Sequence, residues 1–571
     1  MDLAETDPLW NSEIGFQVFG LETGPSFEVP LRVRAVIGPG REAPVSKRMI
    51  LAPQDQRTSD TVRGTYRPIS RSTFSDEGIA LAQDWIDAKH IKLIDTSTNR
   101  PTGRYCTVSH RWGIEPFLNL SHDNLEAFMI DIPFSRLPKT FQDAILVVLK
   151  LGIHYLWIDS LCILQSGLGS KEDWQKESAQ MHKVYENSYC NIAATAASNS
   201  KAGLFFERDT FQVESCKIDM KADGVAHSWY LFDRQVLDRH NASAPLSERA
   251  WVIQEYLFSP RILHFGKEQL FWECSTLYAC ESRPLGFGHD VDFVKKISAL
   301  PVLGAQEVRK VELTHAAPSP TSTDTKVDGI DNEGTETIRA WTQTVERYSS
   351  CQLTNDEDKL IAISGIAERY HKKLLERSQC RYLAGVWSGT HLISSLMWSP
   401  SPRGDSFRPN TYRAPSWSWA SMQGRIFYNY NTILLSRHAP RVPVAAAMDS
   451  SVSLASDNPY GQVLDGRLTM QGPMLWVRAE AFGGSLARLK RKILLENLEP
   501  SGLNMLYLDE AGSDQDETYL LLGLVDCQGL GGLALKASEN DSYKRVGLFW
   551  LHTKAARELV MARQRENITI I

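Results

Sequence analysis

Between residues 104 and 197 the pattern runs strand, helix, strand, helix, strand, and this alternation restricts the available folds more than any other feature of the chain. "YCTVS" is a short β-rich run that ends in the polar group Ser109-His110-Arg111. "LPKTFQDAILVVLKLGI" reads as a helix. Pro138 precedes it, Thr140 and Asp143 have capping-box spacing, and Gly152 suits its stop. Its apolar face is Phe141, Ile145, Val148 and Leu149. "YLWIDSLCI" then reads as a buried strand with Asp159 in its middle. "SKEDWQKESAQMHKVYENS" puts Trp174, Met181, Val184 and Tyr185 on one helical stripe, and "YCNIAATAA" is another buried strand. Such alternation favours a parallel sheet with covering helices.

Outside this stretch the pattern is looser. Residues 1–75 are mixed, with strand-like segments such as "FEVPLRVRAVI", and form an N-terminal extension. Segment 75–92 has helical spacing, with Ile79, Ala82, Trp85 and Ile86 on one face. Segment 246–256 reads as a helix and "RILHF" as a strand. The Pro/Ser/Thr-rich stretch 314–338 reads as a disordered loop within a linker, 276–338. Residues 339–371 read as helical, opening a C-terminal α+β region, 339–571.

The balance of 62 Lys+Arg against 68 Asp+Glu gives a net charge of −6. A duplex nucleic acid partner needs a basic face, so none is expected. The densest basic run, "RLKRK" at 488–492, reads as a solvated helix face. Nine scattered cysteines without a C-x-x-C pair argue against a zinc site or a disulfide framework, and fit a reduced cytoplasmic setting. The start "MDLAETDPLW" lacks a signal-peptide core. The apolar run Ala144 to Leu149 is too short to span a bilayer, so no membrane association is expected.

In an open parallel sheet, ligands bind beyond the carboxyl ends of the strands. Those ends carry Ser109 with His110, Asp159 with Cys162, and Thr195 with Ser198, so polar groups are expected to converge on one crevice. Asp159 has two readings. It caps a helix or pairs with Arg111 or Arg249, or it is held at the sheet edge for chemistry. His110 and Cys162 supply the types for a Cys/His nucleophilic pair, with Asp159 orienting the imidazole. The apolar run around Cys162 favours a buried, inert thiol instead. Trp251 and Glu255 are i,i+4 on a helix, where an indole can shield a carboxylate from water. The plain alternative is an exposed Glu above a core Trp. Glu177, three residues after Trp174, repeats the arrangement more weakly. No phosphate-cradling motif is present, since "GLGG" at 529–532 lacks the fingerprint spacing.

Five blocks, "RYCTVSHRWG", "LPKTFQDAI", "YLWIDSLCILQ", "DWQKESAQMHKVYENSY" and "SERAWVIQEYLFSPRILHF", together resemble the fungal heterokaryon-incompatibility (HET) domain. The domain is placed at 76–275, with its core motifs at 104–265. "LTNDEDKLIAISGIA", "YLAGVWSGTHLISSLMW", "RAPSWSWAS" and "YKRVGLF" look like the region that often follows it. The resemblance implies a TIR/flavodoxin-like α/β fold and a role in regulated cell death after fusion of unlike fungal cells. Some TIR domains cleave NAD⁺ with a helix-borne glutamate in a W-x-x-E-like pattern. On that kinship Glu255 is the implied catalytic residue, with Asp159 and His110 beside it. Ser109, Arg111, Trp112, Cys162, Arg249 and Trp251 are implied to line the pocket. The family often has cysteine where Arg111 stands and glycine where Ala250 stands.

The implied chemistry is cleavage of the nicotinamide–ribose bond. It needs no cofactor and no metal, since NAD⁺ is itself the substrate. Positive charge builds on the ribose, and a carboxylate in a water-poor pocket stabilises it. Arg111 would meet the pyrophosphate. Two rivals stand beside this: a non-catalytic module that kills by homo-oligomer assembly or by recruiting a death-signalling partner, and a small-molecule biosynthetic enzyme using Cys162 and His110 or the carboxylates.

Overall fold

The computed structural model describes residues 91–208, 244–284, 332–376, 378–402, 405–428, 442–481 and 529–571, most of 489–526, and short strands within 15–53 and 216–233. Two compact units emerge. One holds 1–174, 184–247 and 259–294; the other holds 175–183, 248–258 and 295–571.

The first unit is built on a sheet. Strands β1 (Tyr105–Ser109), β2 (Tyr155–Trp157), β3 (Cys190–Ala193) and β4 (Arg261–Phe265) run parallel in the order β2-β1-β3-β4. Antiparallel β5 (Leu270–Cys274) and β6 (Tyr278–Cys280) continue it beyond β4. The chain leaves β1 toward one side for β2, then returns past β1 for β3. Strand order therefore reverses between β1 and β3, and the segments leaving the two strands diverge there. Helices α1 (Lys139–Lys150), α2 (Ser170–Glu186) and α3 (Ala250–Phe258) lie in the three connections.

Side chains alternate across a strand, so the sheet has two faces. Cys106, Val108, Cys190, Ile192 and Phe265 share one of them and form an apolar core with Phe141, Ala144, Val147 and Val148 of α1. Burying a side chain such as Phe141 is worth about 1.5–3 kcal/mol. Thr107, Ser109, Asn191 and His264 share the other face by register. All four are buried. Tyr185 of α2 lies edge-on to Trp157 on that side and donates its hydroxyl to the Val108 carbonyl.

Several elements differ from the sequence reading. "YLWIDSLCI" is not a continuous strand: β2 stops at Trp157, and Asp159 opens a one-turn helix, Asp159–Cys162. Thr140 and Asp143 do not form a capping box on α1. They reach outward instead. Thr140 Oγ1 accepts from the Gly203 amide and Asp143 Oδ2 from the Leu204 amide, so orphan donors of a neighbouring loop take the place of the helix's own. The "RLKRK" run is no helix face, since Lys490–Leu494 is a strand and Arg491 is buried, its Nη1 bonded to the Gln515 carbonyl. Segment 75–92 falls almost wholly outside the described residues.

Beyond residue 294 the described part of the second unit opens with α4 (Asn332–Ser349) and α5 (Ser364–Leu375). The first of these starts inside the stretch read as a loop, because a buried stripe of Ile338, Trp341, Val345 and Tyr348 anchors a helix long enough to include it. The helical segment 339–371 is thus two helices, parted by a turn at Asp356–Lys359. Toward the C-terminus the unit is β-rich. Strands β7 (Val463–Ala481), β8 (Lys490–Leu494), β9 (Asn504–Leu508), β10 (Glu517–Asp526), β11 (Leu530–Ala537) and β12 (Ser542–Leu551) pair antiparallel in the closed order β7-β8-β9-β12-β11-β10-β7. Closure removes the free edges that invite aggregation. Val477, Ile493, Leu506, Leu521, Phe549 and Leu551 fill its core. Among the described residues no helix is long and apolar enough to cross a membrane.

A buried charge cluster ties "RAPSWSWAS" to the barrel. Arg545 Nε is 3.1 Å from Asp509 Oδ2, and Arg408 Nη2 is 2.8 Å from the same oxygen. The Arg545 guanidinium also stacks 3.3 Å over the Trp398 ring and donates to the Leu396 and Trp398 carbonyls. Removing one member of a buried ion cluster strands the others. Asp509→Ala is expected to lower the stability of this unit by about 3–5 kcal/mol. Denaturant titration monitored by tryptophan fluorescence checks it, and an unchanged midpoint would deny the cluster its structural role.

Candidate functional site

In the first unit the strand ends at the β1/β3 reversal carry the polar groups. β1 and β3 are joined beneath them by one amide. Asn191 Nδ2 donates to Ser109 Oγ at 2.8 Å, and its Oδ1 accepts from Thr107 Oγ1 at 3.2 Å. Ser109 is therefore committed inside the sheet. Asn191 went unnoticed in the sequence, although an amide inside the buried run "YCNIAATAA" was the available signal.

His110 follows Ser109 and is enclosed by rings. Phe141 stands edge-on at 4.8 Å, Phe117 edge-on at 6.2 Å and Trp112 nearly parallel at 6.5 Å. The chain then turns at Gly113, whose φ of 82° lies in the left-handed region. A Cβ there would also come within 2.5 Å of Asn199, so both backbone and space require glycine. Ser200 Oγ donates to the Trp112 carbonyl at 3.1 Å, and the Thr140 amide donates to the Ser200 carbonyl at 3.0 Å. The start of α1 thereby fixes the loop that fixes Trp112.

Trp112 in turn fixes Asp159. Its Nε1 donates to Oδ2 at 3.2 Å, while the Ser160 amide donates to Oδ1 at 2.7 Å. His110 Nδ1 is 3.8 Å from Oδ1, too long for a hydrogen bond. Of this pair only the carboxylate meets solvent, with side-chain exposures of 1% for His110 and 21% for Asp159. Each carboxylate oxygen keeps lone-pair capacity for an incoming hydroxyl. The arrangement can hold a polyol and stabilise positive charge beside it.

The other predicted residues stand as follows. The Arg111 guanidinium donates to the Pro245 carbonyl at 3.5 Å. Cys162 closes the one-turn helix and is partly buried. Arg249, Trp251 and Glu255 belong to the second unit, and Glu255 is buried in α3. There Gln254 Oε1 accepts from the Gly365 amide of α5 at 3.1 Å. The Trp251 indole donates to Asp358, a carboxylate the sequence reading passed over inside "LTNDEDKLIAISGIA". Burial pushes the Asp358 carboxyl up to about 6, against the pull of that indole. Among the described residues no cluster of His, Cys, Asp and Glu could hold a metal ion.

Residues 105–255 fit the family model described as Heterokaryon incompatibility protein (HET). No curated protein matches the chain, and no solved structure does.

Asp358 makes a pH-dependent contribution whose sign is fixed. Its folded carboxyl holds a proton up to about pH 6, while the ordinary value is 3.8. The folded state therefore binds more protons between these values, and stability falls as pH rises through 6. Asp358→Asn keeps an acceptor for the Trp251 indole and removes the charge. It is expected to stabilise the second unit by ~1–2 kcal/mol above about pH 7 and to leave it nearly unchanged near pH 4. Chemical denaturation at both pH values is the measurement, and an equal effect at the two would refute it.

Proposed function

We propose that this chain, whose residues 105–255 form a HET domain, is an effector of heterokaryon incompatibility that cleaves the nicotinamide–ribose bond of NAD⁺. The observation that carries the reading is Asp159, a partly exposed carboxylate with both oxygens oriented, beside a shielded imidazole where the strand order reverses. The parallel order β2-β1-β3-β4 supports a TIR/flavodoxin-like sheet, in which that reversal is the ligand-binding position.

On this reading the ribose hydroxyls bond to Asp159. As the glycosidic bond stretches, positive charge spreads over the ribose ring, and the fixed carboxylate lies near it without having to reorganise. Nicotinamide leaves as a neutral amide, so no strong general acid is required. The Trp112 indole and the Ser160 amide hold the carboxylate, and His110 lies beside it within its aromatic enclosure. Glu255, the residue implied by family kinship, is the alternative source of the carboxylate.

The test is nicotinamide release from NAD⁺ by the purified full chain. Asp159→Asn is expected to lower the rate by on the order of 100-fold. Equal rates would remove Asp159 from the role, and a loss confined to Glu255→Gln would transfer it to Glu255. Absence of release from the wild-type chain favours the non-catalytic assembly reading.

A further inference from the structure

A second constellation lies on the polar face of the same sheet. Thr195 follows β3 by two residues, and its Oγ1 is 3.2 Å from Nδ1 of His264 on β4. The other ring nitrogen of His264, Nε2, is 3.4 Å from a carboxylate oxygen of Glu273 on β5. Register explains the meeting. Ile262 stands opposite Glu273 and His264 opposite Phe271, so Glu273 is the diagonal neighbour of His264 on one face. Hydroxyl, imidazole and carboxylate in series are the parts of an activated nucleophile. Glu273 lies within ion-pair reach of Nε2, and the tautomer protonated there leaves Nδ1 to accept the hydroxyl proton, which Thr195 otherwise gives to the Ala193 carbonyl at 3.3 Å. Thr195 and His264 are 2% exposed, whereas the Glu273 side chain is 20% exposed. The series thus runs from a shielded hydroxyl to a carboxylate in contact with water.

The surrounding amides narrow the chemistry. Acyl transfer needs free N–H donors for an oxyanion. Here the amides of Ala194, Thr195, Ala196 and Ala197 already donate to the carbonyls of Ser109, Ala193, Phe265 and Ala194. Capture of a cationic sugar carbon needs no such donors, only removal of the hydroxyl proton. The bond from the Ala194 amide to the Ser109 carbonyl, 2.9 Å, also places Thr195 at the strand end that carries His110.

We propose that Thr195 is the nucleophile that captures the ribosyl cation, with His264 as its general base and Glu273 as the positioning residue for His264. This rests on the NAD⁺-cleaving reading above. Nicotinamide departs with the electron pair of the glycosidic bond. Thr195 Oγ1 bonds to the ribose carbon, its proton passes to His264 Nδ1, and Glu273 balances the resulting imidazolium. The product is an ADP-ribosyl group on Thr195.

The experiment incubates the full chain with NAD⁺ and follows two readouts, nicotinamide release and the ADP-ribosyl mass increment on the Thr195 peptide. The wild-type chain is expected to carry the increment at Thr195. Thr195→Val loses it, and Thr195→Ser, which restores a hydroxyl, regains it. Glu273→Gln slows its appearance by on the order of 100-fold. Nicotinamide release without label at Thr195 overturns this proposal and leaves the cleavage reading standing. Label of equal rate in Glu273→Gln overturns the relay. Neither release nor label overturns both readings.

Discussion

One side-chain amide fixes the register on which the polar groups of the first unit depend. Asn191 spans Thr107 and Ser109, and all three are buried. Buried polar groups must be paired, and leaving one unpaired costs about 1–3 kcal/mol. A one-residue slip of β3 against β1 would turn Asn191 into the apolar face beside Cys106 and Val108 and bring Ile192 in against Thr107 and Ser109. That slip is therefore penalised on both faces of the sheet. The residues just past the strand ends, His110 on one side and Thr195 on the other, inherit their positions from this lock.

A second device appears in each unit: a tryptophan indole that donates to an aspartate. Trp112 orients Asp159 in the first, and Trp251 pairs with Asp358 in the second. An indole has a donor and no acceptor, so it fixes one carboxylate oxygen without offering a competing geometry. It also brings a large apolar body that limits hydration on one side. The two outcomes differ because the rest of the surroundings differ. Asp159 receives a backbone amide as well and keeps a share of solvent. Asp358 is buried and has its carboxyl pushed up to about 6.

Much of the first unit was legible in the sequence because its elements carry strong periodic patterns. The strands "YCTVS" and "RILHF" and the helices 139–150 and 170–186 coincide with runs whose apolar spacing admits one reading. The break at Asp159 was not legible, since "YLWIDSLCI" is apolar enough for a strand and the turn into a helix is decided by tertiary bonds, such as the Leu120 amide to the Ser160 carbonyl. Capping-box spacing at Thr140 and Asp143 misled for a related reason: the same side chains serve a loop sixty residues away in sequence. His110 and Asp159 stand 3.8 Å apart because each follows the end of a parallel strand. Asp358 was missed because "NDED" looks like a solvated acidic turn, and only the fold reveals which of its carboxylates is buried.

The exposure difference between His110 and Asp159 bears on which chemistry the site can favour. A buried imidazole enclosed by Phe117, Phe141 and Trp112 is poorly placed to exchange protons with a ligand. The accessible group is the carboxylate, held by two donors that reach it from the protein side. Such a group offers negative potential and acceptor capacity, and little acid catalysis. It suits a reaction whose leaving group departs neutral and whose remaining fragment is cationic.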